Sequence, residues 1–147
     1  MFLGHLFYFI GLIVFLVNIQ FLYDLFDYIR IKEWSVSFKK ITNKTPTDKD
    51  FKRGDLEKYK KLSGVIGLNF FWVFFGILSS NWKIFLIILV TSSLIDFLIH
   101  TIGQFKTLSK LIFIFKMTLI TLSILILTIN HFHLHLDLFE LLCRFFI

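Results

Sequence analysis

The chain contains no alanine, one proline, one cysteine and only three arginines among its 147 residues. Each scarcity excludes something. With Cys143 alone, neither an intrachain disulfide nor a cysteine-built metal cluster can form. With Pro46 as the sole proline, no long apolar segment is kinked by one. Without alanine, helices in lipid lose one of the small residues on which they usually approach each other. Ser63, Gly64 and Gly67 are the small residues grouped at helical spacing, so packing is expected to rely mainly on interlocking Phe, Leu and Ile. The bias toward Lys over Arg, thirteen to three, is what an AT-rich coding sequence gives. Catalytic signatures are missing as well. There is no HExxH, no GxSxG, no phosphate-cradling glycine loop and no pair of carboxylates within one apolar region. His100 beside Asp96 has the form of a base and its orienter, but no Ser or Cys nucleophile has a place next to them. Neither enzymatic activity nor a cofactor is expected.

What is present is apolar. Hydrophobic residues make up 56% of the chain and Phe alone supplies 21, where a soluble domain needs far more polar surface. Four apolar segments stand out, at about 2–22, 64–80, 82–99 and 108–130. Each is close to the roughly 20 residues that cross a hydrocarbon core of about 30 Å, the second being short. The expected fold is an all-α integral membrane protein with four transmembrane helices in a single membrane domain, 1–147. The first segment lacks a basic leader and exceeds the apolar core of a signal peptide, so it reads as a retained helix. A tight turn at Asn81 joins the second and third segments, and Trp82 suits an interface anchor.

Charge sets the orientation. The net +6 suggests nucleic acid at first sight, but in a membrane protein Lys and Arg collect on the cytoplasmic side. The loop 24–63 holds eleven of them, and Lys106 and Lys110 add two between the third and fourth segments. Only Lys83 and Arg144 lie on the other side. Thirteen against two places the loop in the cytoplasm and both termini outside it, with a bacterial inner membrane as the expected setting. No nucleic acid is expected as a partner.

The loop is patterned. Trp34, Phe38 and Ile41 recur at i, i+4 and i+7 between lysines, as on a helix lying in a membrane interface. The sequence Thr45-Pro46-Thr47-Asp48 ends it, and Asp55 reads as the N-cap of a helix running through Lys61 into the second segment. A docking surface for anionic lipid headgroups or a protein partner would use Arg30, Lys32, Trp34, Phe38, Lys39, Lys40, Lys52, Arg53, Lys58, Lys60 and Lys61. The alternative is a solvated charged linker. The tail, 133–147, puts His133, Asp137, Glu140 and Arg144 on one helical face and apolar residues on the other, which predicts an outer interfacial amphipathic helix.

Asp96 and Lys116 are the charges inside the spans, where each costs about 2.5–3.5 kcal/mol if unpaired. They fall at similar depth on antiparallel neighbours, so an ion pair is expected, with His100 and Ser92 one turn to either side. The alternative is a snorkelling Lys116 and an Asp96 bonded to serine hydroxyls or protonated. Gln20 and Asn69 lie at comparable depth. The expected intramembrane polar cluster is therefore Gln20, Asn69, Ser92, Asp96, His100 and Lys116, confined to the cytoplasmic half. A through-membrane path needs polar residues in both halves, so this asymmetry favours interhelical bonding or a pocket open on one side. Asp24 and Asp27 are expected to pair with Arg30, Lys106 or Lys110. His131 and His135 share a helical face, but two imidazoles are not a complete metal site and Asp137 faces elsewhere, so interfacial side chains are expected and no bound metal.

These features point to a non-enzymatic scaffold, anchor or sensor subunit of a membrane complex, self-associating or holding a cytoplasmic partner through residues 30–61. The alternative is an ion channel or membrane effector pore built from several copies. In layout alone the chain looks like the small four-helix membrane subunits of bacterial phage-defence systems such as Kiwa, where a membrane sensor holds a cytoplasmic partner. No motif carries that likeness, and no residue role follows from it.

Overall fold

A computed structural model describes residues 2–103 and 107–147, and the regular structure among them is entirely helical. The order is α1 (Phe2–Tyr23), α2 (Leu25–Thr42), α3 (Asp55–Gly76), α4 (Trp82–Ile102), α5 (Thr107–Ile129) and α6 (Leu138–Phe146). A π-helical turn, Asn130–Leu134, extends α5. Three helices are long and apolar enough to cross a membrane: α1, α4, and α5 with its π turn. The early turns of α3 carry Asp55, Glu57, Lys58, Lys60 and Lys61, and its apolar part contains Asn69.

Named contacts fix the topology. Along α3, Lys58 meets Asp27, Asn69 meets Asn18, and the following Asn81 meets Tyr8, so α3 runs antiparallel to α1. Helix α5 also runs back along α1, from the Phe21–Met117 region to the contact of His131 with His5. One end of the bundle therefore holds α2 and the charged start of α3, and can be called the basic end. The other, the terminal end, holds both chain termini, the turn 77–81 and the π turn.

Helices α1 and α2 share one buried stripe: Tyr8, Gly11, Val14, Asn18, Phe21, Leu25, Tyr28 and Ile31. Spacings of three and four keep it on one face across Asp24, the single residue between the two helices. At about 1.5 Å per residue, the 18 residues of α2 extend some 27 Å. Its first half packs on the bundle and its second half projects from it. Helix α2 carries Trp34, Phe38 and Ile41, and part of that face is taken up within the chain. Trp34 packs against Phe38 and Phe51, with ring centroids 5.4 and 5.1 Å away, so the chain's own connection covers that part. Ile41 stays 83% exposed.

The core has two apolar clusters. One, toward the terminal end, centres on Tyr8, Trp72, Phe85, Ile124 and Leu127; the other, toward the basic end, on Phe21, Leu25, Tyr28, Leu62 and Met117. Asn18 and Asn69 lie between them, 0% and 4% exposed.

Three expectations are corrected. Gly54, at φ 85°, takes the N-cap of α3, so Asp55 starts the helix and its carboxylate accepts from Arg30 instead. In the tail, α6 begins at Leu138 with Asp137 as its cap, accepting from the Phe139 and Glu140 amides at 3.1 Å each. His133 thus belongs to the π turn, while Glu140 and Arg144 do pair at 2.6 Å.

The close approaches between helices lie away from the grouped small residues. Nothing lies within 4 Å of where a methyl group on Gly64 or Gly67 would sit. The tight approaches are elsewhere: a methyl on Gly11 would stand 2.5 Å from Cζ2 of Trp72, and one on Gly76 would enter the Phe85 ring. Gly11→Ala and Gly76→Ala are each expected to cost about 1–3 kcal/mol by overpacking, whereas Gly64→Ala should gain up to about 1 kcal/mol of helix propensity. Thermal unfolding in detergent checks this; equal effects at all three sites would contradict the packing described.

A candidate functional site at the basic end

Helix α4 is anchored mainly by its start, where Ile84 and Phe85 are buried in the terminal-end cluster. Further along, its residues are largely uncovered. Between its second half and helices α2, α3 and α5 lies a cavity of about 410 Å³. Its polar wall is Tyr28 and Lys32 from α2, Asp96 and His100 from α4, and Ser109, Lys110 and Lys116 from α5. Ile29, Ile66, Ile99 and Phe113 form the apolar remainder.

A smaller cavity of about 100 Å³ lies deeper, bounded by Asn69, Ser92, Asp96 and Lys116 together with Val73, Ile88 and Ile120. Asp96 and Lys116 line both spaces and so stand at the boundary between them. The Lys116 ammonium donates to Asp96 at 2.5 Å. The pair is lopsided: the lysine side chain is 9% exposed and the aspartate 58%. The cation is thus the member with nowhere else to go.

Five of the six polar residues expected to cluster, Asn69, Ser92, Asp96, His100 and Lys116, are brought to these two cavities. Gln20 is not; it is exposed on the outer face of α1. Asn18 takes the place expected for it. Its Nδ2 donates to Asn69 Oδ1 at 2.5 Å, and Asn69 Nδ2 donates back to Asn18 Oδ1 at 2.6 Å. The signal that could have found Asn18 is the Tyr8–Gly11–Val14 stripe, the one face of α1 where small and polar residues recur at helical spacing.

Lys32 is the residue of α2 that reaches this region. Burial lowers its ammonium from the ordinary lysine value, Asp96 raises it again, and the neighbouring Lys116 lowers it further. No hydrogen bond or ion pair joins Lys32 to another of the described residues, although its ammonium lies 5.9 Å from the centre of the Tyr28 ring. Burial also raises the Tyr28 hydroxyl, which keeps it a neutral donor.

The other basic residues divide in two. Lys58 bridges Asp24 and Asp27 at 3.6 and 2.5 Å, Arg30 reaches Asp27 and Asp55 at 3.9 and 3.4 Å, and Lys110 holds Glu33 at 3.1 Å. These ties join the α1–α2 junction to α3, and α2 to α5, and each is weak because solvent screens it. The chief partner of Asp24 and Asp27 is therefore Lys58, with Lys110 turned to Glu33; the expected Lys106 contact lies outside the described residues. Lys58 hydrogen-bonds Asp27 and holds that carboxyl below its ordinary 3.8, while Asp27 holds Lys58 above 10.5. Asp27's share of the bridge stands above pH 3.8 and is lost as pH falls through its lowered value; that of Lys58 stands below 10.5 and is lost on rising through its raised value. Lys39, Lys40, Lys52, Arg53, Lys60 and Lys61 are exposed and make no ion pair among the described residues.

A second polar group sits at the terminal end. His5 Nδ1 and His131 Nε2 are 3.0 Å apart, and the Tyr8 ring stacks on His131 at 4.1 Å. Asn81 donates to the Tyr8 hydroxyl at 3.0 Å. Asn130, buried, exchanges two hydrogen bonds with the backbone of Leu136 and holds the π turn closed. The helical pairing expected of His131 and His135 is gone, because the π turn intervenes and His135 adopts φ 50°. Among the described residues no group of three or more His, Cys, Asp or Glu is placed to hold a metal ion. The contact of His5 with His131 was not legible, since the residues are 126 apart in sequence.

The chain matches no protein-family model, no curated protein and no solved structure.

Asp96→Asn strands a buried ammonium, whereas Lys116→Leu leaves a half-exposed carboxylate. Each is expected to cost about 2 kcal/mol or more, because either change leaves an unpaired charge on a helix apolar enough to span a membrane. The double variant should cost less than Asp96→Asn alone. A thermal-unfolding cycle in detergent reads all three; additive losses would mean that the two side chains do not depend on each other.

Proposed function

We propose that the chain is a four-span, non-enzymatic subunit of a membrane complex, a scaffold, anchor or sensor, with its basic end in the cytoplasm. Helix α3 serves as the fourth span, its apolar part set between α1 and α4. The thirteen-to-two distribution of Lys and Arg supports the orientation, and with it both termini outside the cytoplasm. The layout likeness to phage-defence membrane subunits supports a bacterial inner membrane. The exposed cations Lys39, Lys40, Lys52, Arg53, Lys60 and Lys61 are the part offered to an acidic protein partner.

One observation carries this reading. Two pairs of polar groups placed among the apolar helices bond one to one between helices, Asn18 with Asn69 and Lys116 with Asp96. Beyond them the deeper cavity is bounded by Val73, Ile88 and Ile120. Polar residues assigned to helix–helix contacts in this way suit a scaffold better than a conducting path through a single chain.

A second reading has its own support. Helix α4 buries little more than Ile84 and Phe85, and Asp96 on it is largely uncovered. Several copies could set α4 around a common axis and form a pore.

The protein expressed in its native host and purified in mild detergent separates the two. Light scattering with mass spectrometry is expected to give a stoichiometric second polypeptide that is lost when Lys39, Lys40, Lys60 and Lys61 are changed to Gln. A ring of identical copies that conducts in planar bilayers would overturn the scaffold reading in favour of the pore.

A further inference from the structure

From the cavity between α2, α4 and α5 we infer a binding site for the phosphate headgroup of an anionic phospholipid, with Lys32 as its principal ligand. The inference rests on the proposed orientation, because anionic lipid is supplied by the cytoplasmic leaflet.

The charge count comes first. Three ammonium groups, of Lys32, Lys110 and Lys116, line this space. Two carboxylates answer them: Asp96 is held by Lys116 at 2.5 Å and Glu33 by Lys110 at 3.1 Å. Lys32 is the cation left over among the described residues. A partly buried ammonium that makes no ion pair, and feels Asp96 only as a carboxylate already held by Lys116, is costly, and an anion entering the cavity lowers that cost. A phosphate fits the donor set, since its oxygens can accept from the Lys32 ammonium and from other donors of the lining such as Ser109.

The apolar lining decides which phosphate. At about 410 Å³ the space falls within the range of small-molecule sites, and Ile29, Ile66, Ile99 and Phe113 supply its apolar lining. On the helices that frame it, Phe97, Leu108 and Leu111 are all more than half exposed. A soluble anion gains nothing from this surface, whereas a lipid places its head on Lys32 and its chains along α4 and α5. The ion pair of Asp96 and Lys116 closes the inner end and keeps the headgroup from the deeper cavity.

The test uses the full chain in a neutral detergent, with native mass spectrometry and thermal shift as readouts. Phosphatidylglycerol is expected to be retained at one per chain and to raise the unfolding temperature, with phosphatidylcholine and inorganic phosphate doing neither. Lys32→Gln should weaken retention about tenfold, the loss typical of one charge-assisted hydrogen bond. Lys39→Gln and Lys61→Gln, exposed on the same end, should change it less than about twofold if general charge attraction is not the cause. Three results would each overturn the site: equal retention of phosphatidylcholine, equal losses in all three variants, or a thermal shift from inorganic phosphate as large as that from lipid. Should Lys32→Gln fail to fold, Lys32→Met, which keeps the aliphatic stem and removes the charge, is expected to lose the lipid equally, and full retention by it would overturn the site. Loss of lipid selectivity with the partner complex intact rejects this site alone. A conducting ring that still retains lipid through Lys32 rejects the scaffold reading alone.

Discussion

The reciprocal bond between Asn18 and Asn69 is the constraint on which the arrangement of the other helices depends. Both amides are out of contact with solvent, and each donates to the other. In lipid, apolar side chains gain little by exchanging a lipid neighbour for a helix neighbour, so Phe, Leu and Ile alone define helix register weakly. A pair of facing amides defines it sharply, because sliding either helix by one residue leaves buried donors and acceptors unpaired. With α1 and α3 held at that level, Gly11 falls under the Trp72 ring, and the Trp72 indole reaches the Phe7 carbonyl at 3.2 Å. Gly76 then lies against Phe85 and positions the start of α4.

Outward from that level the two ends are built on different physics. The terminal end is closed by aromatic packing, Phe7 on Trp72, Tyr8 on His131 and Phe85 against both, and by the Asn130 clamp on the π turn. The basic end is tied by partly exposed ion pairs, each individually weak. Helix α4 is held firmly at the first end and loosely at the second, and the cavity opens where its packing gives out. Space at the basic end therefore follows from where α4 is anchored. Lys116 and Asp96 occupy its inner limit because a buried cation must keep its one counter-ion.

Much of this plan was legible in the sequence. Helix class, the positions of three spans, the continuous helix from the basic loop into the apolar part of α3 and the facing of Asp96 and Lys116 all follow from hydropathy, charge and short-loop geometry. Helical phase on the apolar segments did not. Asn18 and Gln20 are two residues apart and so about 200° apart around α1. On a helix apolar on every side, hydropathy alone does not say which of them faces inward; only the weaker stripe of Tyr8, Gly11 and Val14 points to Asn18. The same ambiguity hid Gly11 and Gly76, which are isolated in sequence and closely packed, while Gly64 and Gly67, grouped in sequence, are open in space. The contact of Trp34 with Phe51 was hidden for another reason: Phe51 lies beyond the break at Pro46, where periodicity carries no information. The pairing of His5 with His131 joins opposite ends of the chain, and no local pattern reports it.

A double-mutant cycle on Asn18 and Asn69 tests the central claim most directly. Asn18→Val and Asn69→Val are each expected to lower stability in detergent by about 1–3 kcal/mol, because each leaves one buried amide unpaired. The double variant removes both amides and should recover most of that loss, giving a coupling of about 1 kcal/mol or more. Strictly additive losses, with no coupling between the two sites, would contradict the account in which this pair sets the register of α1 against α3.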